Sequence, residues 1–282
     1  MNNLLSMKAA LNKTRKKENR NLNSIELKQN ALLEIYKDVF DACEKHGLKL
    51  FLQGGTLLGK VRHNGFIPWD DDMDLGLYRD DYDKLEFVYE SELADKYTLQ
   101  KPGYKDGTRT RFAQIYCGKK NFPDNIWIDI FPIDYVPDNK IKRLYVGVRC
   151  NMLMGIAGSI EFINSCDEKM RHQLLQSPIG ILNYYIRKGI SVLFSWRKLD
   201  KWYSVIEKTA RNNKPAKYST SSMGRWHYFG EMQKSNVFFP LKPETFCGVS
   251  AWTISDSKGY LTHNYGSDYM KVPSEEERES HG

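Results

Sequence analysis

The sequence lacks several features that would assign it to a class of protein at once. Its five cysteines are scattered, with no CxxC pair and no Cys/His cluster at zinc spacing. We therefore expect free thiols in a reducing compartment. No apolar leader opens the chain, and no stretch approaches about 18 apolar residues without a charge. We expect neither a signal peptide nor a membrane span, and a cytoplasmic location, with peripheral attachment at the inner face of the cytoplasmic membrane left open.

Nucleic-acid-binding motifs are also missing, although the net charge is +7. Six basic residues and one acid lie in residues 1–20, so five of the seven net charges belong to this segment. Such a segment is typical of a disordered tail that contacts anionic lipid or nucleic acid. Without a motif for bases, we expect no nucleic-acid partner and keep contact with an anionic membrane as the alternative.

The hydrophobic content of 41% over 282 residues is enough for one large domain or two small ones. No internal repeat is present. Within this ordinary composition, the chemistry is concentrated in residues 51–75, where glycines, bases and acids follow one another closely.

The acids of this stretch are the strongest signal. Asp72-Met73-Asp74-Leu75 alternates acidic and apolar residues, which on a strand would place both aspartates on one face. Two carboxylates a few Å apart repel each other unless a cation lies between them, and Mg²⁺ prefers oxygen ligands. A solvated acidic loop is the alternative, but Met73 and Leu75 favour a strand.

A glycine turn precedes the acids. Gly54, Gly55 and Thr56 follow an apolar run, and the next residues predict a short helix whose N-terminus points at the turn. Glycine lets a backbone approach a ligand closely, and exposed N–H groups at a helix N-terminus bind anions. This pattern predicts a phosphate-binding turn, with a plain turn as the alternative.

Basic residues lie between the turn and the acids. Arg62 could bind phosphate oxygens as a bidentate fork, with Lys60 and His63 beside it. An exposed basic loop explains the same three residues equally well.

These residues form part of a longer pattern. It reads Gly-Thr-Leu-Leu-Gly at 55–59, Arg-His at 62–63 and Gly-Phe-Ile-Pro-Trp-Asp-Asp-Asp-Met-Asp at 65–74. The pattern closely resembles the LicD family, which includes bacterial phosphocholine transferases, fukutin and fukutin-related protein. Segments 126–134 and 260–281 agree as well, so the resemblance extends from residue 25 to the C-terminus. It implies a polymerase-beta-like nucleotidyltransferase fold.

The second motif is Ile-Asp-Ile-Phe-Pro at 128–132. Asp129 lies in an apolar strand, where an unpaired charge is costly, so an arginine or backbone partner is one explanation. The resemblance implies instead that Asp129 is the third acid of a metal site with Asp72 and Asp74. Asp134 follows Pro132 in the sequence, and we expect it to be a turn or capping residue.

Two candidate phosphate ligands, Arg109 and Arg111, lie near the polar loop at 103–110, with a solvated hairpin as the alternative. LicD relatives often have a lysine near position 114. This chain has Gln114, a departure that argues against a phosphate contact from this strand.

The predicted fold is α/β: a small mixed sheet flanked by helices, with a helical addition in the C-terminal half. We divide the chain into a basic disordered tail (1–22), a nucleotidyltransferase-like core (23–138) and a mainly helical addition (139–282) that completes one compact unit. The predicted elements are helices at 25–46, 56–61, 80–93 and 255–264, strands at 48–52, 72–76, 98–100, 112–116, 126–134 and 246–250, and a helical region at 139–210. A basic, partly apolar face docking on a membrane is the alternative for that last region.

The resemblance also implies a reaction. A substituted phosphate would move from a CDP-alcohol, with CDP-choline first, to a hydroxyl of a cell-surface glycan or its lipid-linked precursor. Mg²⁺, or Mn²⁺, would be held by Asp72, Asp74 and Asp129. Phosphoethanolamine, glycerol phosphate or ribitol phosphate are alternative groups, and a noncatalytic scaffold is the alternative class.

Overall fold

A computed structural model gives the structure of the chain. It describes residues 2–102, 110–117, 126–274 and 278, and side chains from residue 24 onward. The predicted phosphate contact of Arg109 lies outside these ranges.

Helices and strands are interspersed along the described part of the chain, with four consecutive helices between β5 and β6. The helices are α1 (Asn2–Lys45), α2 (Gly54–His63), α3 (Arg79–Val88, continued by a π-helical turn at Tyr89–Leu93), α4 (Lys140–Ser165), α5 (Glu168–Leu174), α6 (Pro178–Phe194), α7 (Leu199–Ala210), α8 (His227–Gly230), α9 (Ser235–Phe238) and α10 (Ser257–Tyr265). The strands are β1 (Phe51–Leu52), β2 (Asp74–Tyr78), β3 (Tyr97–Gln100), β4 (Ala113–Cys117), β5 (Trp127–Val136), β6 (Tyr218–Thr220), β7 (Gln233–Lys234), β8 (Lys242–Phe246) and β9 (Val249–Thr253).

The strands form a mixed sheet in the order β3-β4-β5-β2-β1-β9-β8. The pairs β2–β5 and β1–β9 are parallel, and the other neighbours on this path are antiparallel. The long strand β5 pairs with β4 and β2 along its first part, while residues 134–136 pair with β6, which pairs with β7. The predicted α/β class, a mixed sheet flanked by helices, is confirmed.

α1 packs its apolar face into the main core. Ile35, Tyr36 and Val39 recur at three- and four-residue spacing, and all three are buried. The helix spans Asn2–Lys45, so the predicted start at residue 25 is wrong and the backbone of the expected disordered tail is helical. The reason is visible in the sequence, because no glycine or proline interrupts residues 2–45.

The C-terminal half needs a second correction. Residues 140–210 are helical as expected, but residues 218–253 contribute four strands, of which we predicted one. β9 pairs with β1 and β6 pairs with β5, so this part of the chain completes the sheet of the core. The pairing strands are only three to five residues long, which gives a weak periodic signal in the sequence.

A buried ion-pair cluster joins the sheet to the helical part. Arg79, which is 1% exposed, donates two hydrogen bonds of 2.8 Å to Asp134 at the end of β5 and a third of 2.8 Å to Glu207 in α7. Asp134 is therefore not the turn or cap residue that we predicted. It is a buried carboxylate that neutralises the most deeply buried arginine of the described side chains.

α4 is, among the described helices, the one long and apolar enough to cross a membrane by length and composition. The sequence criterion of a long apolar run without a charge does not select α4, because Arg143, Arg149 and Glu161 interrupt it. Half of its most apolar window is buried inside the protein, as in a core helix. Length and composition alone therefore do not assign a membrane span.

Candidate active site

Three aspartates converge at the centre of the sheet. Asp72, Asp74 and Asp129 each offer a carboxylate oxygen, and these oxygens all lie within 4.8 Å of one another. Asp74 begins β2 and lies directly beside Asp129 in the parallel register with β5. The parallel pairing of these two strands is what brings the first motif and the second together, as the sequence interpretation required.

Asp72 lies just outside the strand in which we expected it. β2 begins at Asp74, two residues later than the predicted strand. The extended backbone still follows β5 closely, because the Asp129 N–H donates to the Met73 carbonyl at 2.8 Å. The expected proximity of the acids is present, but its cause is this extension of the parallel pair.

Each strand acid of the cluster accepts one protein hydrogen bond. The Gly55 N–H donates to Asp74 Oδ2 at 2.7 Å, and Gln114 Nε2 donates to Asp129 Oδ1 at 2.7 Å. Gln114 is the register partner of Asp129 on β4, and its own Oε1 accepts from the Tyr116 hydroxyl at 2.7 Å. Gln114, which we had set aside as a departure, therefore positions a carboxylate of the site.

Burial and mutual repulsion raise the pKa values of the acids on the two strands. Burial, together with repulsion from Asp72 and Asp129, raises the pKa of Asp74 well above its usual range. Burial, reinforced by Asp72, raises the pKa of Asp129 to about 7 in spite of the hydrogen bond from Gln114. Such a cluster is costly until a positive charge neutralises it.

The donor set fits a hard divalent cation. Three carboxylates provide oxygen ligands and negative charge, which suit Mg²⁺ and Mn²⁺, and no sulfur or imidazole ligand belongs to the cluster. Asp74 and Asp129 hold fixed positions through strand register and one hydrogen bond each. Asp72, Asp74 and Asp129 would therefore be the residues that hold the ion.

Asp72 and Asp74 line a cavity of about 550 Å³. Its lining comes from the start of α2, from the loop before β2 and from residues that follow position 223 in the chain. The closing segment that carried part of the family resemblance contributes Tyr265, Asp268, Tyr269, Lys271 and Pro273, and the 223–227 segment contributes Gly224, Arg225 and Trp226. Acidic, cationic and aromatic groups thus line one space.

Arg62 lies on this cavity, as predicted. Its Nη1 donates to the carbonyls of Tyr269 at 3.1 Å and Lys271 at 3.3 Å, and its Nε donates to His63 Nε2 at 3.0 Å. Arg62 thereby ties α2 to the closing segment. Desolvation lowers the pKa of Arg62, with Asp70 and Tyr265 opposing that shift.

The glycine turn is the N-terminus of α2, which starts at Gly54 rather than at Thr56. Gly54 has φ +52°, and a Cβ there would collide with the Asp74 carboxylate. The Gly54 N–H donates to the Tyr260 hydroxyl at 3.3 Å, and Thr56 Oγ1 accepts from the Asp74 N–H at 2.7 Å. Glycine is required here because the turn packs directly on Asp74.

Three predicted ligands do not line the cavity. Lys60 donates to Asn64 Oδ1 at 2.8 Å and pairs with Glu244 at 3.6 Å. His63 packs against Trp69, with ring centroids 6.2 Å apart. Arg111 pairs with Glu161 of α4 at 2.5 Å. Their assigned role in substrate binding stays a prediction.

Three acids of the cavity, Asp70, Glu231 and Asp268, were missed as candidate site residues. Burial and the nearby Asp72 raise the pKa of Asp70 to about 8. Glu231 is 7% exposed and accepts from the Trp226 N–H at 3.0 Å, and burial raises its pKa. Asp70 was visible in the acidic block, whereas nothing in the sequence near Glu231 pointed to a site.

A mixed sheet that presents three carboxylates beside a helix N-terminus defines the chain as nucleotidyltransferase-like. Residues 47–151 match the family described as LicD/FKTN/FKRP, nucleotidyltransferase domain. This range contains α2, the acids and β5. The similarity to the LicD family therefore lies in the part of the chain that carries the site.

Similarity to individual relatives agrees with the match to this family. The chain is 28% identical over 255 residues to the lipopolysaccharide cholinephosphotransferase LicD of Haemophilus influenzae, covering 86% of this chain and 91% of the relative. It is 29% identical over 111 residues to the human ribitol 5-phosphate transferase FKRP, covering 39% of this chain and 21% of that protein. An uncharacterised protein of Rickettsia typhi is 32% identical over 123 residues, covering 43% of this chain and 34% of the relative.

Proposed function

We propose that this protein is a phosphotransferase that moves phosphocholine from CDP-choline to a hydroxyl of a cell-surface glycan or its lipid-linked precursor. The observation that carries the proposal is the cluster of Asp72, Asp74 and Asp129, of which Asp72 and Asp74 line a cavity that also contains cationic groups. The similarity to the Haemophilus cholinephosphotransferase over most of both chains supports the kind of reaction.

The three carboxylates are assigned to metal binding. A bound Mg²⁺ would supply positive charge against the donor diphosphate and the leaving oxygen. Asp74 and Asp129 are held by Gly55 and Gln114, so the chain fixes their orientation before any ligand arrives. Asp129 is also our candidate for taking the proton of the acceptor hydroxyl.

The cationic groups of the cavity are assigned to the phosphates. Arg62, Arg225 and Lys271 line the same cavity as Asp72 and Asp74, and a guanidinium can bind two phosphate oxygens at once. The N-terminus of α2 adds its positive dipole end, with Gly54 and Gly55 on the cavity wall. Together these groups would stabilise charge that develops during transfer.

Aromatic residues on the cavity favour choline as the transferred alcohol. Trp226, Tyr265 and Tyr269 line the same space as the acids. A quaternary ammonium is attracted to aromatic ring faces and accepts no hydrogen bonds, so an aromatic wall suits choline better than a polyol. Ribitol phosphate is the second candidate, because FKRP is named for its transfer.

A donor screen tests the proposal. The purified protein is incubated with a glycan acceptor and, in turn, with CDP-choline, CDP-ethanolamine, CDP-glycerol and CDP-ribitol, with and without Mg²⁺, and CMP release is followed by mass spectrometry. We expect Mg²⁺-dependent CMP release, fastest with CDP-choline. Preference for another donor would replace choline while keeping the reaction, and no turnover of any donor with a glycan acceptor present would favour the scaffold.

A further inference from the structure

The outer face of α6 is apolar and exposed. Ile179 is 82% exposed, Val192 68% and Leu193 71%, although a soluble protein normally buries such side chains. In the whole helix, Tyr184 and Ser191 are the buried residues. α6 therefore packs on the protein along a narrow edge and presents most of its apolar surface outward.

The exposed residues follow the helical repeat. Ile179, Leu182, Ile186 and Leu193 lie at intervals of three, four and seven residues, which places them on one face of the helix. Tyr185, Val192 and Trp196 form an adjoining stripe, and Trp196 is 69% exposed. The apolar surface is thus broad and continuous along α6.

α4 adds a second apolar stripe. The exposed large hydrophobic residues of its first half recur at three- and four-residue spacing: Ile141, Leu144, Tyr145, Val148 and Met152. The two helices pack together, with Arg187 Nη1 donating to the Gly158 carbonyl at 3.5 Å and its guanidinium 4.8 Å from the Phe162 ring. We call the exposed apolar residues of α4 and α6, with Trp196, the α4–α6 face.

The segment that carries α6 has charge of one sign. Between Glu168 and Asp200 the chain has no acidic residue, and it has six basic ones. These are Lys169, Arg171, Arg187, Lys188, Arg197 and Lys198. A basic rim around an apolar surface is complementary to a layer of anionic headgroups above acyl chains.

We propose that the α4–α6 face is a docking surface for an anionic lipid bilayer, with α6 lying in the plane of the interface. Trp196 and Tyr185 are suited to the interface because their rings are apolar and carry a polar edge. The inference rests on this face alone and is independent of the reaction proposed for the cavity.

Lying on the bilayer fits this face better than crossing it. At 1.5 Å per residue, the 17 residues of α6 extend about 26 Å, less than the roughly 30 Å hydrocarbon core. The buried half of α4 is engaged with the protein core. Insertion of one face by about 5 to 10 Å uses the exposed residues and leaves the packing intact.

A second copy of the chain is a poorer occupant. A two-fold interface places the same patch against itself, so the basic residues of α6 would face one another. The segment from 169 to 199 offers no carboxylate to compensate them. The lipid headgroup supplies the missing negative charge.

Vesicle flotation of the full chain tests the proposal. We expect binding to vesicles of 70% phosphatidylcholine and 30% phosphatidylglycerol, weaker binding to phosphatidylcholine alone, and loss of binding as salt rises. Ile179→Glu combined with Leu193→Glu should reduce the fraction bound at least tenfold. Phe87→Glu is the matched control, because Phe87 is an exposed apolar residue on α3 at 65% exposure.

A second pair of variants tests the charge. Lys188→Gln with Lys198→Gln should weaken binding to the anionic vesicles roughly tenfold or more, while Lys234→Gln with Lys258→Gln should not. Removal of residues 1–22 should leave most binding in place. If this truncation abolishes binding, the basic N-terminal segment is the anchor and the proposal is wrong.

Fluorescence provides a measurement that needs no destabilising change. Vesicles with dibrominated acyl chains should quench the tryptophan fluorescence of the wild-type protein. Trp196→Phe should remove most of that quenching. Binding that is equal in wild type and the double glutamate variant would overturn the proposal. So would a dimer in solution that the same variant dissociates, without any binding to vesicles.

Discussion

The three-aspartate end of the sheet and the α4–α6 face depart from the usual distribution of polarity in opposite directions. The first brings partly buried carboxylates together, and the second exposes isoleucine, leucine and tryptophan. Each arrangement is unfavourable for the protein by itself, because buried charge and exposed apolar surface both cost free energy. Each becomes favourable when a complementary species binds: a cation in one case, a bilayer in the other.

The two regions also differ in how they are held. The acids are fixed by strand register, short hydrogen bonds and a glycine that tolerates close packing on Asp74. α6 is held along a narrow edge, and few of its side chains are constrained by the core. A rigid site suits chemistry, where small displacements lower the rate, whereas a bilayer accepts an approximate surface.

The largest expected effect comes from removing charge at the acids. Asp72→Asn or Asp74→Asn should abolish transfer, by a factor on the order of a thousand or more, because the cation loses a charged ligand. The melting temperature of the metal-free protein should stay the same or rise, since a repulsion is removed. CMP release at saturating Mg²⁺ and thermal unfolding measure the two quantities.

Asp71→Asn is the matched control for this experiment. Asp71 is adjacent in sequence but pairs with Lys28 of α1 at 2.7 Å, outside the cluster. It should keep most of the activity. Near wild-type turnover in the Asp72 or Asp74 variant would remove the metal assignment.

The next effect concerns the ion pairs that join the two regions. Asp134→Ala leaves Arg79 buried without its bidentate partner and should lower the free energy of unfolding by about 3 to 5 kcal/mol. Denaturant unfolding measures this change. Glu168→Ala, which removes an exposed carboxylate 3.8 Å from Arg171, should leave stability nearly unchanged. A similar small change in both variants would show that the buried pair adds little.

Arg62 is expected to have a smaller, purely kinetic effect. Arg62→Lys should lower turnover by about tenfold to a hundredfold, or about 1.4 to 3 kcal/mol of transition-state stabilisation, because lysine cannot form the fork. Arg62→Ala should be worse. Arg62 also binds the carbonyls of Tyr269 and Lys271, so melting temperature must be compared with kinetics.

Lys60→Ala is the control for Arg62, since Lys60 is on the same helix but does not line the cavity. It should retain turnover. If Arg62→Lys keeps wild-type turnover, Arg62 is a structural tie between α2 and the closing segment, and Arg225 becomes the candidate phosphate ligand.

The sequence predicted the local parts of this site well. Asp72, Asp74 and Gly54 lie within one short stretch, and the family resemblance supplied Asp129, so the acids could be named before the structure was known. The register between β2 and β5 could not be derived from either motif alone, because parallel pairing depends on what packs around both strands.

The predictions that were wrong or incomplete concern residues whose roles depend on contacts distant in sequence. Asp134 reads as a turn residue until α3 and α7 bring Arg79 and Glu207 to it. Glu231 meets the cavity through the packing of short elements with little periodicity. The apolar content of α6 was visible, but whether it is buried depends on the tertiary fold, which places only its edge on α4 and α7.

The last and smallest effect is a dependence of stability on pH in the metal-free protein. Burial, with repulsion from Asp72, raises the pKa of Asp70 to about 8 and that of Asp129 to about 7 in the native state, against about 3.9 when unfolded. Between these values the native state binds more protons than the unfolded one, so stability falls as pH rises from about 4 to about 8.

The window from pH 6.5 to 8 isolates this effect. Burial lowers the pKa of His63 and His227, so their contribution to stability is lost as pH falls below about 6.5, in the opposite direction. With EDTA present, the melting temperature should therefore decline from pH 6.5 to pH 8, and Asp129→Asn should reduce the slope. Added Mg²⁺ should raise the melting temperature more at pH 8 than at pH 6.5, because the carboxylates carry more negative charge at pH 8. A wild-type profile that is flat, or that rises with pH, would mean that the acids are already neutralised by the protein and would remove the contrast between the two regions.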